Sequence, residues 1–375
     1  MQKILLIGAF VAISCLLMAQ GPVKNYQNPV VNYSLPDPSV IKGEDGYYYL
    51  YATEDIRNLP IHRSKDLVEW EYVGTAFTKG TRPDFEPKGG LWAPDINKIG
   101  DKYVLYYSMS VWGGEWTCGI GCATADKPEG PFKLLSQYKY DPEDAGDDGI
   151  YNDAGVLVDD DGRVYIYYGF TESNFNEIDP ADMYTIKKGS YKRAVIDDSD
   201  NAPQEQRFFE ASSPRKIGDT YYLIYSPCVG SRLAYATSDK PQGPFKYRGY
   251  IIDNGVDFPG GNDHGSVCNI NGQWYIFYHR MTNNTIMSRR ACVEKIEILP
   301  DGTIPTVEMT SLGFEDSLDP FKPYPADIAC VLKGGCFITE KDIFTRSIVN
   351  ITEGNVIGYK YFDFGEDFSS KTMKI

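Results

Sequence analysis

The chain has 375 residues, of which 42% are apolar, 24% charged and 14% aromatic, which is typical of a folded protein and excludes a disordered chain. Its 37 Lys and Arg are outnumbered by 52 Asp and Glu, and the formal charge of -15 makes nucleic acid and anionic membranes poor partners. The three histidines are His62, His264 and His279, so acid–base chemistry is expected mainly from carboxylates.

The N-terminal residues predict export. Lys3 is followed by an apolar run over residues 4–19 and by a polar start at Gln20, the pattern of a secretory signal peptide cleaved near Ala19. The run is too short for a comfortable membrane span. Cys15 leaves lipoprotein acylation as an alternative, although the apolar run continues past it. We therefore expect a mature periplasmic or extracellular chain without residues 1–19.

One strand pattern occurs five times after this segment. Each copy follows a turn rich in Gly, Asp or Asn and alternates aromatic with other apolar residues, which is typical of a β-strand. The starts are 55, 61, 57 and 53 residues apart. The five copies read Gly46-YYYLYAT, Asp101-KYVLYYS, Gly162-RVYIYYG, Asp219-TYYLIYS and Gly272-QWYIFYH.

Two segments downstream of these strands are nearly identical, Ala123-TADKPEGPFK and Ala236-TSDKPQGPFK, and they start 113 residues apart, about two repeats. Self-similarity at this period in short strands predicts an all-β fold, a five-bladed β-propeller over residues 20–319. A β-sandwich or jelly roll is the alternative. In a propeller, the aromatic excess is explained first as packing between blades.

An ionisable residue precedes each aromatic strand, at the head of the strand before it. These residues are spaced 58, 58, 57 and 54 apart, so we interpret them as one structural position in five blades. Each of them alone has a simpler explanation as a turn residue. Clustered carboxylates raise one another's pKa, which favours a bound cation or a proton donor. The five residues are Asp37, Asp95, Asp153, Glu210 and His264.

Two carboxylates beside an aromatic rim are the groups that glycoside hydrolysis needs, since one acid protonates the leaving oxygen and another carboxylate activates water. Trp92 lies next to the acids in the sequence and is a candidate for stacking on a sugar, with core packing as the alternative. The run Asp159–Gly162 lacks the ligand spacing of a calcium loop and predicts a hairpin turn. Weaker candidates for the rim are Tyr72, Trp112, Trp116 and Phe258.

From about Asn28 to Asp319 the chain resembles glycoside hydrolase family 43, the inverting five-bladed propeller enzymes. The resemblance rests on Leu35-PDPS, Leu91-WAPDI, Asn152-DA before VLVDDDG, Phe208-FEASSPRKI and His264-GSV. It implies Asp37 as general base, Glu210 as general acid and Asp153 as the carboxylate that tunes and orients the acid. It also implies a calcium or sodium ion near His264 in the central channel, and no organic cofactor.

For an inverting enzyme, the carboxyl groups of Asp37 and Glu210 are expected to lie about 6.5–9.5 Å apart, which leaves room for the attacking water. Burial behind two Phe residues is expected to raise the pKa of Glu210. Trp92, Asp95 and Arg280 are the candidates for substrate binding, although an arginine at a strand end is more often simply solvated.

The family's substrates imply removal of terminal arabinofuranosyl or xylosyl groups from plant polysaccharides such as arabinan and arabinoxylan, by a monomer. An endo-acting arabinanase or xylanase and an exo-β-galactosidase are alternatives on the same fold. A retaining fructan-processing propeller is disfavoured because its Trp-Met-Asn-Asp-Pro-Asn motif is missing. A glycan-binding propeller without catalysis is the alternative of another class.

The pattern changes at residues 320–375, which are predicted to form a short β-rich extension. Ile348-VNITEGNVIGYKYFDFG resembles the opening strands of a family 6 carbohydrate-binding module, but is too short for the whole module. The extension is therefore either a truncated module or a segment that packs on the propeller. Cys330 and Cys336 flank a Gly-Gly turn and are candidates for a disulfide bond across a hairpin.

Overall fold

The computed structural model describes residues 27–31, 33–53, 58–83, 90–110, 119–138, 152–197, 201–256, 262–282, 285, 288–313, 316–341 and 345–366. Within these ranges the regular structure consists of β-strands and two short 3-10 turns, at Asn254–Val256 and Ala326–Ile328. The predicted signal peptide and Cys15 lie outside the described residues.

Five antiparallel sheets follow one another along the chain, and each is a meander of consecutive strands. The five-bladed propeller predicted from the repeats is therefore confirmed.

Blade 1 comprises β1 (Ser39–Lys42), β2 (Tyr48–Tyr51), β3 (Pro60–Ser64) and β4 (Glu71–Thr75). Blade 2 comprises β5 (Gly90–Ile99), β6 (Lys102–Ser110), β7 (Gly119–Ala125) and β8 (Lys133–Tyr138). Blade 3 comprises β9 (Gly155–Val158), β10 (Val164–Tyr168), β11 (Asn174–Ile178) and β12 (Lys192–Arg193). Blade 4 comprises β13 (Phe208–Ile217), β14 (Thr220–Pro227), β15 (Arg232–Ser238) and β16 (Lys246–Asp253). Blade 5 comprises β17 (Gly265–Ile270), β18 (Gln273–Met281) and β19 (Arg289–Ile296).

The first strands of the blades form a closed ring, in which β1, β5, β9, β13 and β17 contact their neighbours and β17 returns to β1. The segment before β1 closes this ring. Val30 donates its backbone N–H to Ala291 O at 2.9 Å, and Leu35 donates to Arg289 O at 2.6 Å. This segment therefore lies along β19 and ties the start of the propeller to its last blade.

The aromatic residues form the cores between blades, as the sequence predicted. Strand β6 shows why, because its alternate side chains point to opposite faces. Tyr103, Leu105 and Tyr107 pack towards blade 1, whereas Val104 and Tyr106 pack towards blade 3. Equivalent cores lie between blades 3 and 4, between blades 4 and 5, and between blades 5 and 1.

The duplicated sequence makes the same contacts twice. Phe132 donates its backbone N–H to Ala76 O of blade 1 at 3.0 Å, and Phe245 donates to Val195 O after β12 at 2.7 Å. Each copy thus supplies a backbone hydrogen bond that holds one blade against the preceding blade. The run Asp159–Gly162 forms the turn between β9 and β10, where Gly162 donates to Asp159 O at 2.9 Å. This confirms the predicted hairpin.

The extension forms two small sheets that pack on blades 4 and 5. In the first sheet β20 (Val331–Lys333) pairs with β23 (Val356–Gly358), and in the second β21 (Phe337–Glu340) pairs with β22 (Arg346–Val349). Leu332 and Ile338 share a hydrophobic core with Cys292 of β19. The segment therefore packs on the propeller, and its resemblance to a carbohydrate-binding module is not confirmed. The predicted boundary between residues 319 and 320 stays a prediction.

The candidate disulfide bond between Cys330 and Cys336 does not form, because both cysteines are free and buried. Each has a weak hydrogen-bond acceptor instead: the Sγ of Cys336, for example, lies 3.4 Å from Lys333 O. Within the described part of the chain, no helix has the length and hydropathy that a membrane crossing requires.

Candidate active site

The heads of the inner strands have an unusual backbone in four blades. Asp37, Ala93, Asp153 and Ala211 have φ angles of 59°, 48°, 46° and 68°, the left-handed region that residues other than Gly rarely adopt. Such conformations are retained mainly where function or packing requires them. The residues of blades 2 and 4 that are structurally equivalent to Asp37 and Asp153 are therefore Ala93 and Ala211.

This corrects the alignment of Asp95 and Glu210 with Asp37. The register of β5 shifts between Trp92 and Asp95, and that of β13 shifts on both sides of Glu210. A bulge of this kind places extra residues in one strand and turns the side chains that follow it.

A hydrogen bond between blades holds the head of each inner strand, and in blade 5 the residue at this position is Asp263, not His264. In each case a backbone N–H donates to a side chain of the preceding blade. The five bonds run from Ala93 to Thr53 Oγ1 (2.8 Å), Asp153 to Ser108 Oγ (2.7 Å), Ala211 to Asp153 Oδ2 (3.1 Å), Asp263 to Ser226 Oγ (3.5 Å) and Asp37 to His279 Nδ1 (3.1 Å).

Sequence reasoning missed these acceptors, although the signal was present. Four of them, Thr53, Ser108, Ser226 and His279, end the repeated aromatic strand of their blade. In blade 3 the same position is Gly169, which has no side chain, and the carboxylate of Asp153 takes its place.

Asp37 is buried in a cationic and hydrogen-bonded environment. Thr53 Oγ1 donates to its Oδ2 at 2.6 Å, and Arg289 Nη1 donates to its Oδ1 at 3.3 Å. Burial alone raises the pKa of Asp37, but the Arg289 guanidinium opposes burial most strongly, and this pKa lies well below its usual range. Asp37 is therefore ionised at neutral pH.

Glu210 has the opposite environment. Burial raises its pKa to about 7, although the hydrogen bond from Asn262 Nδ2 to its Oε1, at 2.6 Å, favours the ionised form. Burial and the charge of Glu210 also raise the pKa of Asp153 well above its ordinary value. The cluster therefore combines an ionised carboxylate, Asp37, with two that hold protons more tightly.

Arg289 and Asn262, which sequence reasoning did not single out, connect these acids. Arg289 Nη1 donates to Asn262 Oδ1 at 3.2 Å as well as to Asp37. His279 accepts the Asp37 N–H at Nδ1, so its proton lies on Nε2, which donates to Asn262 O at 3.1 Å. Burial and then the charge of Arg289 lower the pKa of His279, which keeps the ring neutral.

His264 lies between two of the acids. Its Nδ1 is 3.7 Å from Asp37 Oδ1 and 3.9 Å from Asp153 Oδ2, and burial lowers its pKa to about 4. Calcium takes six to eight oxygen ligands, whereas no three His, Cys, Asp or Glu side chains of the described ranges are grouped as ligands. These side chains do not by themselves form a calcium site, and the ion near His264 stays a prediction.

Asp95 and Arg280 are placed elsewhere. Asp95 accepts hydrogen bonds from Ser39 Oγ of blade 1 at 3.1 Å and from Val156 N of blade 3 at 2.7 Å, so its carboxylate ties three inner strands together. Arg280 is 1% exposed and donates to Thr310 O and Asn28 O at 3.4 and 3.3 Å. It is neither solvated nor among the acids; Arg289 is the arginine that reaches them.

The aromatic residues that the sequence suggested for sugar contacts also lie in different places. Trp92 is buried and its Nε1 lies 3.5 Å from Asn152 Oδ1, next to Asp153, so its contact with a sugar stays a prediction. Tyr72 lies on β4, the outermost strand of blade 1, which is far from the inner strand heads in the order of the sheet. Trp112, Trp116 and Phe258 lie outside the described residues.

A propeller whose buried cluster places one ionised carboxylate beside carboxyl groups of raised pKa is typical of the acid–base hydrolases that cleave glycosidic bonds. The sequence model described as "Glycosyl hydrolases family 43" matches residues 26–304. The chain belongs to this family and is a glycosidase.

Relatives and solved structures agree. The chain is 36% identical to a xylosidase/arabinosidase of Thermoclostridium stercorarium over 80% of its own length and 72% of the relative's. It is 28% identical to an arabinoxylan arabinofuranohydrolase of Paenibacillus polymyxa, over 92% of this chain and 62% of that one. A β-xylosidase/α-arabinofuranosidase from a compost metagenome, solved with xylotriose in a calcium-free form, superposes with a TM-score of 0.62 at 27% identity, covering 76% of this chain and 97% of the other.

Proposed function

We propose that the protein is an exported, inverting, exo-acting glycosidase that removes terminal α-L-arabinofuranosyl or β-D-xylosyl groups from arabinoxylan and arabinan. The mechanism rests on a difference in pKa between two carboxyl groups of one cluster. The pKa of Asp37 is held low, whereas that of Glu210 is raised to about 7. The relatives named xylosidase/arabinosidase and arabinoxylan arabinofuranohydrolase support the substrate class.

In this mechanism Asp37 accepts a proton from water as the water oxygen attacks the anomeric carbon. Glu210 donates its proton to the glycosidic oxygen as the bond between that oxygen and the anomeric carbon breaks. Asp153 accepts the N–H of Ala211, the residue after Glu210, and so orients the acid. After this step Glu210 is ionised and Asp37 is protonated. Asp37 then loses a proton to solvent and Glu210 takes one up, which restores both groups.

The predicted ion near His264 stays an expectation, and no step of the mechanism uses it. Export and the monomeric state are also parts of the proposal. Sequencing the N-terminus of the protein after expression in a secreting host tests cleavage near Ala19, and sedimentation tests the monomer.

The acid is tested by Glu210→Gln with Glu294→Gln as a matched control. Burial also raises the pKa of Glu294 to about 7, but this glutamate binds Asn28 and Thr310 beside β19 and not the acid cluster. We expect Glu210→Gln to lower kcat by about 10²–10⁴-fold on unactivated oligosaccharides, and less on nitrophenyl glycosides, whose leaving group needs little protonation. Equal losses in both variants would contradict the assignment.

Substrate and mode of action are tested on a panel of nitrophenyl α-L-arabinofuranoside, β-D-xyloside and β-D-galactoside with linear arabinan and arabinoxylan. Release of single pentoses supports the exo-acting assignment. Release of oligosaccharides favours the endo-acting alternative, and release of galactose favours the β-galactosidase. No turnover of any substrate would leave the glycan-binding propeller as the better hypothesis.

A further inference from the structure

A second cleft lies on the outside of the propeller, far in the sheet order from the acid cluster. Its volume is about 710 Å³, which is in the usual range of ligand sites. It is formed where the segment before β1, the outer strands β3 and β4 of blade 1, and the extension meet. One wall carries Tyr33, His62, Trp70 and Tyr72, and the other carries Asp327 and Arg346.

The first wall is a row of rings. The His62 ring lies 5.5 Å from the ring of Tyr33 and 5.4 Å from that of Tyr72. Tyr72 is 55% exposed, a large value for an aromatic side chain on a strand. Trp70 donates its Nε1 to Leu67 O at 3.1 Å, which fixes its indole. Rigid rings with one apolar face and polar edges suit the C–H faces of sugar rings.

One polar group with unused hydrogen-bonding capacity, His62, and one buried acidic residue, Asp327, lie in the same place. His62 is buried, its Nε2 bonds to the Tyr33 hydroxyl, and its Nδ1 has no hydrogen-bond partner in the described residues. The carboxylate of Asp327, in the turn Ala326–Ile328, is also buried. Fixed polar groups in the lining of a site orient the ligand that binds there.

The charges of the cleft select the class of ligand. Asp327 and Arg346 are of opposite sign and His62 is neutral, since burial lowers its pKa to about 4. The two formal charges cancel, which favours a neutral ligand over a phosphate or an acidic sugar.

From the ring row, the buried polar groups and the cancelled charges, we propose that this cleft binds a neutral polysaccharide chain at a distance from the bond that is cleaved. The ligand class rests on the proposed function. The extension then has a role, because it supplies Asp327 and Arg346 to the second wall. Binding here raises the local concentration of polymer at the active site and has no effect on small substrates.

Affinity electrophoresis of the full chain in gels that contain soluble arabinoxylan tests the proposal. Tyr72→Ala removes an exposed ring, and Asp327→Asn removes the buried charge with little change in shape. Phe321→Ala is the matched control, because Phe321 is a 70% exposed aromatic of the extension that does not line the cleft. Circular dichroism confirms that each variant is folded.

We expect retardation of the wild type, weakened roughly three- to tenfold in Tyr72→Ala and Asp327→Asn and unchanged in Phe321→Ala. Turnover of nitrophenyl pentosides should be the same in all four proteins. Unchanged retardation in both cleft variants, equal loss in the control, or no retardation of the wild type would each overturn the proposal. Retardation without turnover of any pentoside would contradict the proposed catalytic function and leave the cleft intact.

Discussion

Asn262 donates its side-chain amide to Oε1 of Glu210 at 2.6 Å. Its own Oδ1 accepts a hydrogen bond from Arg289 Nη1, and that nitrogen also reaches Asp37. The proposed acid and base are therefore connected through one amide and one guanidinium. Each of these two groups fixes the position of one carboxyl group and also shifts its pKa.

Asn262→Ala should move the alkaline limb of the pH profile upward. The amide favours the ionised form of Glu210, so its removal leaves burial to raise the pKa further above about 7. We also expect kcat to fall by about 10²-fold, because the acid is no longer oriented. The pH dependence of kcat and of kcat/KM on an unactivated oligosaccharide, whose leaving group needs the acid, measures both effects.

Asn97→Ala is the control for this variant, since Asn97 likewise donates to a buried carboxylate, Asp95, at 2.9 Å, but outside the acid cluster. An alkaline limb that stays in place in Asn262→Ala, or that moves equally in Asn97→Ala, would refute the role of the Asn262 amide in setting the pKa of Glu210.

Arg289→Ala and Arg280→Ala should have different consequences although the two residues lie in neighbouring strands. Arg289 holds the pKa of Asp37 down, so its loss should move the acid limb of the pH profile towards neutral pH and lower kcat/KM by about 10²-fold. Arg280 binds backbone carbonyls, so its loss should lower Tm. Steady-state kinetics and thermal unfolding of both variants distinguish them; the opposite pattern would contradict the placement of the two arginines.

His279→Ala should lower activity more than Ser226→Ala, although both remove an acceptor from the same ring of bonds between blades. His279 holds the backbone of Asp37 at 3.1 Å, whereas Ser226 accepts from Asp263 at 3.5 Å. We expect about a tenfold loss of kcat for His279→Ala, with a Tm shift no greater than that of Ser226→Ala. Equal losses of activity would show that these hydrogen bonds between blades only stabilise the fold.

Glu294 predicts a pH dependence of stability. Burial raises its pKa from 4.5 to about 7, so the folded state keeps this proton to a higher pH than the unfolded chain. Unfolding then releases protons between these values, and stability falls as the pH rises from about 4.5 to about 7. The decrease in Tm over this interval should be smaller in Glu294→Gln than in the wild type, and an identical decrease would contradict it.

Much of this architecture could be read from the sequence because it repeats. The aromatic strands predicted five blades and the packing between them, since a period of two determines which side chains face which neighbour. Asp37, Asp153 and Glu210 were found because polar groups at apolar strand heads stand out.

The rest depends on the register of individual strands. Whether Arg280 or Arg289 faces the acids is decided by the pairing of β18 with β19, where Arg280 lies opposite Arg290 and Arg289 opposite Met281. The bulge between Trp92 and Asp95 moves Asp95 out of the position that its spacing predicted. Asn262 lies two residues before His264, which the sequence pattern singled out, and only the fold brings it to Glu210.

The stereochemistry of the first product distinguishes a base at Asp37 from a nucleophile. Proton NMR during the first turnovers of whichever nitrophenyl pentoside the enzyme cleaves fastest reports the anomer before mutarotation. An ionised Asp37 that activates water opposite the acid Glu210 predicts a sugar of inverted configuration. A first product that retains the configuration of the substrate would contradict the assignment of Asp37 as a base.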